Sequence, residues 1–190
     1  MGNAEAEQFH PATLAEWRDW LAVNHPRRGG VWVVGWRKGS GRTPVPYDEL
    51  VREALCWGWI DGQAKKLDDQ RSMQWMSPRR ASSPWAASNK ARVADLEREG
   101  RLQPAGIAAI QRAKADGMWT VLDSVEALIE PQELAAALDA DPDARAAWDS
   151  CPPSARKQGL ALIAMAKRPE TRVARAATIV GRLKRGERPA

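Results

Sequence analysis

The chain has 190 residues, 44% of them hydrophobic and 28% charged, with a net charge of +5. That is enough apolar material for one ordinary core of a soluble globular protein. It argues against membrane insertion, since no stretch approaches the roughly 20 apolar residues that a span needs, and its modest excess of base suits an acidic partner or an anionic ligand.

Ten tryptophans stand against one phenylalanine and one tyrosine. Each carries a large apolar area and one N–H that needs a partner when buried. Ten exceed what a small core needs, so one or two are expected to line a cavity. Cys56 sits in an apolar run and reads as a small buried hydrophobe. Two distant cysteines, Cys56 and Cys151, build neither a disulfide framework nor a zinc site. Residues 1–17 are polar and acidic without an apolar leader core, so the expected location is cytoplasmic.

Thr13 followed by Glu16 forms a capping box for a helix carrying Leu14, Trp17, Trp20 and Leu21, which stops before Pro26. Val31–Trp36 is β-branched and aromatic and predicts a buried strand. The glycines of 38–41 lack the Gly-Lys-Ser/Thr of a phosphate loop, and no cofactor is implied. Asp48–Trp57 predicts a helix closed by Gly58. Trp59–Leu67 and Arg71–Ser77 alternate as strands, with Asp68–Gln70 as the hairpin turn and Pro78 as the stop.

Beyond Asn89 the pattern is helical. One helix carries Val93 and Leu96 and ends at Gly100; the next runs from Pro104 to Gly117. Further helices open at Pro131 and Asp141, cover Ser154–Lys167, and run from about Glu170 to Lys184. Residues 119–150 are acidic and those from Arg156 onward basic. The plain reading is that the two regions attract each other; a nucleic-acid face on the basic C-terminal helix is the sharper one. The expected fold class is α+β: a small antiparallel sheet covered by helices, with a helical C-terminal half. Residues 1–120 would form the core and 121–190 a helical region packed on it.

Several motifs recur together. They are Gly58-Trp59-Ile60-Asp61-Gly62, Pro78-Arg79-Arg80, Ser83-Pro84-Trp85 and Asn89, with Ala54-Leu55-Cys56 before them. Pro104-Ala105-Gly106, Ala113-Lys114, Ala166-Lys167 and Glu170-Thr171-Arg172 follow. In this order the chain resembles the YdeI/OmpD-associated family, also labelled bacteriocin-protection proteins. The resemblance covers nearly the whole chain. It departs at Ala86, where the family often has serine, and at Met76-Ser77, where a Phe-Thr-like pair is common. It implies an α+β domain with a helical C-terminal part and a link to resistance against antimicrobial peptides, and it carries no agreed reaction.

The candidate site is Trp59, Asp61, Lys65, Trp75, Arg79, Ser83, Trp85 and Asn89. On an unbroken strand Trp59, Asp61, Gln63 and Lys65 share one face. Trp75 and Ser77 are expected to join that face and bring Asp61 near Arg79. Arginine binds carboxylate or phosphate through two parallel hydrogen bonds, so Arg79 is assigned an anion and Arg80 a solvated place. The plainer alternatives are an Asp61–Arg79 ion pair, a helix cap from Ser83 or Ser88, and a loop tie from Asn89. His10 and His25 lie far upstream, which weakens nucleophilic catalysis, and no metal-ligand spacing is present.

The first functional expectation is a cytoplasmic protein linked to stress or antimicrobial resistance that binds a small anionic or planar ligand in a Trp/Arg-lined pocket. The alternatives are an enzyme with Asp61 as general acid or base, and nucleic-acid binding through the basic C-terminal helix.

Overall fold

The computed structural model describes residues 6–190; the first five residues of the polar N-terminal segment lie outside them. The described residues divide into two compact units. The first runs to Ser83 and resumes over Ser88–Asp116; the second comprises Pro84–Ala87 and Gly117–Ala190.

The first unit is built on a four-stranded sheet of order β1-β2-β4-β3. The strands are β1 (Gln8–Phe9), β2 (Val31–Trp36), β3 (Trp59–Lys66) and β4 (Arg71–Pro78). β1 runs parallel to β2, and the other pairs are antiparallel. The α+β class and the helical C-terminal half are as expected. β1 is new, since two residues are too short to show an alternating pattern. The hairpin turn forms because the Asp68 carboxylate accepts the backbone N–H groups of Gln70 (2.9 Å) and Arg71 (2.7 Å), an Asx-type tie.

The hairpin register corrects one expectation. Next to the turn, Lys65 stands opposite Met73 and Ala64 opposite Gln74. Continued without a break, that ladder would set Asp61 opposite Ser77. Instead the register shifts between Asp61 and Ala64, and Asp61 stands opposite Met76 and Ile60 opposite Ser77. One inserted residue in a structure of period two moves every later side chain to the other face. Trp59 and Asp61 therefore share a face with Met76. Lys65, Trp75 and Ser77 share the opposite one. The Gln74 amide donates to the Gly62 carbonyl at 2.7 Å, satisfying an acceptor in the disturbed segment of the ladder.

Helices α1 (Leu14–Asn24) and α2 (Tyr47–Cys56) belong with the Trp59 face. The Thr13 hydroxyl accepts from the Glu16 N–H at 3.2 Å, and the Glu16 carboxylate accepts from Ala12 at 2.9 Å. The capping box thus forms with its return bond one residue early. Trp17 and Leu21 are fully buried, and Trp17 Nε1 donates to the Leu50 carbonyl at 3.0 Å, tying α1 to α2. Trp59 lies edge-on to Trp20, with centroids 5.6 Å apart, and donates Nε1 to the His25 carbonyl. Gly58 ends α2 with a φ of +74°, a conformation that side-chain-bearing residues rarely adopt. Glu53 is buried and receives Arg18 from α1 (3.1 and 3.0 Å) and Arg101 (3.0 Å). Burial pushes the nearby Cys56 thiol up to about 11, which leaves it protonated and inert at neutral pH. Helices α3 (Ala87–Arg98) and α4 (Pro104–Ala115) follow.

The second unit contains α5 (Asp123–Glu126), α6 (Gln132–Asp139), α7 (Pro142–Ser150), α8 (Pro153–Ala164) and α9 (Pro169–Lys184). Its core gathers Leu134, Leu138, Trp148, Leu160, Ile163 and Ile179. The indole of Trp148 donates to Glu130 at 2.7 Å, and Arg145 Nη1 donates to both oxygens of that carboxylate at 3.0 and 2.9 Å. The uneven charge resolves into ion pairs inside this unit: Lys157–Glu126 (2.6 Å), Lys184–Asp141 (2.8 Å) and Arg172–Glu133 (3.7 Å).

Candidate functional site

Antiparallel pairing of β2 with β4 sets Val31 opposite Met76. The residues before Val31 and those after Met76 therefore meet at one end of the sheet. There they line a groove of about 460 Å³, walled by Arg27, Arg28, Gly29, Gly30, Trp75, Ser77, Pro78, Arg79 and Arg80. Gly30 is required here: a Cβ at this position would collide with the Trp75 indole and come within 2.5 Å of the Met76 carbonyl oxygen.

The four arginines are held differently. Arg27 pairs with Glu7 at 2.7 Å, and its guanidinium lies 5.4 Å from the centre of the Trp20 ring. Arg28 and Arg80 are exposed. Arg79 is only 6% exposed. Its N–H donates to the Gly58 carbonyl at 3.0 Å, and its guanidinium donates to the Ser83 carbonyl at 3.2 Å. Burial pulls the Arg79 guanidinium down to about 10, against the opposing pull of the Asp61 carboxylate.

The expected site residues separate. Trp75 and Arg79 line the groove, and Ser83 contributes its carbonyl to Arg79. Lys65 places its ammonium 4.8 Å above the Trp32 ring, on the Trp75 face. Trp59 is a core residue, 1% exposed. Asp61 accepts a 2.6 Å hydrogen bond from Tyr47 on the other face. Near it lies a smaller, mainly apolar pocket of about 270 Å³ between α2 and the sheet, lined by Tyr47, Leu50, Val33 and Ala64 among others. Trp85 is buried in the second unit, where its backbone N–H donates to the Met118 carbonyl and its ring lies 5.0 Å from Trp119. Asn89 is buried and accepts from Arg92 at 3.0 Å. Arg27 and Arg28 went unread in the sequence. Their signal was the Arg-Arg-Gly-Gly run just before β2, which an antiparallel partner brings beside Pro78-Arg79-Arg80. Among the described residues no group of His, Cys, Asp and Glu could hold a metal ion, and no helix is long and apolar enough to cross a membrane.

Residues 9–109 match a family model described as a domain of unknown function (DUF8412), which is just over half of the chain. Residues 127–186 match the model described as Bacteriocin-protection, YdeI or OmpD-Associated. The chain belongs to the DUF8412 family and carries a YdeI/OmpD-associated domain. No curated protein and no solved structure matches it. The boundary between the two matches decides where each description applies. The arginine groove lies wholly within the DUF8412 part, whereas the YdeI/OmpD-associated part covers α6 to α9. The motifs around Trp59, Arg79 and Trp85 fall in the first part, so the bacteriocin-protection description attaches to the helical unit and not to the groove.

Proposed function

We propose that the protein binds a small anionic ligand with a planar portion, holding the anion among Arg27, Arg28, Arg79 and Arg80 and the planar portion against Trp75. One observation carries this reading: four arginines, a serine and a half-buried indole border one groove of about 460 Å³. Arginine forks match carboxylate and phosphate oxygens, and an indole offers a flat apolar wall. The bacteriocin-protection name of the C-terminal domain supports linking such binding to resistance against bacteriocins or other antimicrobial stress. Two free cysteines suit a reducing cytoplasm, which cell fractionation would test.

The test is a tryptophan-fluorescence titration with inorganic phosphate, nucleotides, phosphorylated metabolites and peptide antibiotics. At least one anion should quench or shift the emission. Arg80→Ala and Arg28→Ala, both at exposed positions, should each weaken it about tenfold, the worth of one charge-assisted contact. A flat response to the whole set would reject the reading.

A second reading, an enzyme with Asp61 as general acid or base, is favoured by the 2.6 Å Tyr47–Asp61 hydrogen bond beside the smaller pocket. It requires Asp61→Asn to fold normally and to lose a measurable turnover.

A further inference from the structure

The arginine groove is one end of a longer surface. Register places Trp32 and Trp36 of β2 on the same face as Trp75 of β4 and Lys65 of β3. Trp32 is buried as the floor, meeting Trp75 at 5.2 Å in an edge-on contact, with the Lys65 ammonium over it. Trp36 is half-buried at the far end, where it also borders the smaller pocket and meets the His10 ring at 5.0 Å, and the exposed Arg42 places its guanidinium 5.5 Å from the centre of the Trp36 ring. Cations and indoles thus alternate along the strand direction, from Arg79–Arg80 and Trp75, through Lys65, to Trp36 and Arg42. From Ser77 to Arg71 the face spans about 20 Å, at roughly 3.3 Å per residue. A single small anion needs only the first end of it.

From this we infer that the sheet face takes a single-stranded nucleic acid, with a phosphate in the arginine groove, a base on Trp75, and the strand continuing past Lys65 to Trp36 and Arg42. The inference rests on the anion-binding reading of the groove and extends it. Charge complementarity selects this occupant: aromatic platforms spaced between basic side chains are what unstacked bases on a phosphate backbone require. A duplex hides its bases from such platforms. Arg71 is not counted, since Asp68 holds it at 2.6 Å, and Arg27 must share its guanidinium with Glu7. The acidic Asp61 lies on the opposite face by register, though its carboxylate still acts on Arg79.

The experiment titrates the full chain with thymidine monophosphate, with an oligothymidylate of about six nucleotides, and with the matching duplex, at low and moderate salt. The single strand should bind at least roughly tenfold tighter than the monophosphate, the gain from one further stacked base. That gain should vanish in the Arg42→Ala/Lys65→Ala double variant, both exposed positions. Affinity for the strand should fall with rising salt more steeply than affinity for the monophosphate. Equal affinity for strand and monophosphate would overturn this inference while leaving the anion groove intact. Equal affinity for duplex and single strand would overturn it too, because stacking would then play no part. Absence of binding by all three probes and by inorganic phosphate would remove both readings together.

Discussion

The Tyr47 hydroxyl donates to the Asp61 carboxylate across 2.6 Å, joining the first turn of α2 to the edge strand β3 on the face away from Trp75. Partial desolvation of this half-exposed residue, and then the hydrogen bond, push the Tyr47 hydroxyl up to about 12.

Tyr47 is the sole tyrosine, so its ionisation can be read directly from tyrosinate absorbance. The midpoint should lie near 12 in the folded protein, against about 10 in the denatured chain. The folded value is the higher one. The stabilisation is therefore complete below about pH 10 and is lost as pH rises through about 12. Asp61→Asn should lower the midpoint, since the carboxylate contributes after burial. An unchanged midpoint in that variant would mean that Asp61 does not hold the hydroxyl.

Gly30→Ala should destabilise the first unit by about 1–3 kcal/mol, the usual cost of forcing atoms into an occupied site. The new methyl group would have to displace the Trp75 indole or the Met76 carbonyl. Urea denaturation reads the cost, and a change in tryptophan emission would report Trp75 leaving its place. A fully stable variant with unchanged emission would contradict the close approach.

The Glu53 clamp should respond unequally to loss of its partners. Either Arg18→Ala or Arg101→Ala leaves the buried carboxylate one guanidinium, so each should cost about 1–2 kcal/mol. The double variant strands a carboxylate whose side chain is 4% exposed, and it should cost more than the two single losses added, approaching or exceeding 3–5 kcal/mol. A double-mutant cycle by chemical denaturation decides the point; simple additivity would count against a shared clamp.

In the second unit, Trp148→Ala should cost about 3–5 kcal/mol, since it empties a core position and leaves Glu130 without its indole donor. Lys184→Ala should cost far less, because the ammonium is exposed and its pairing with Asp141 is screened by solvent. Thermal unfolding of the two variants should differ clearly. Comparable losses would show that the unit depends on its surface ion pairs.

What the sequence determined by itself is most of the elements, the two-residue β1 and the single-turn α5 excepted. The strand at Val31–Trp36, the hairpin around Asp68–Gln70, the capping box at Thr13 and the stop at Gly58 were all legible, because each depends on neighbours a few residues away. The grouping of side chains into a site was not legible to the same degree. A one-residue shift at Gly62–Gln63 sent Asp61 to one face and Lys65 to the other. A glycine inside a strand hints at such a bulge, yet only the pairing with β4 counts the residues across it. The meeting of Arg27 and Arg28 with Arg79 and Arg80 was likewise decided by the antiparallel pairing of β2 and β4. Strand pairing joins segments far apart in the chain, and neither segment alone carries the register. The tertiary structure therefore moved the candidate site from Asp61 and Trp59 to the arginine groove beside Trp75.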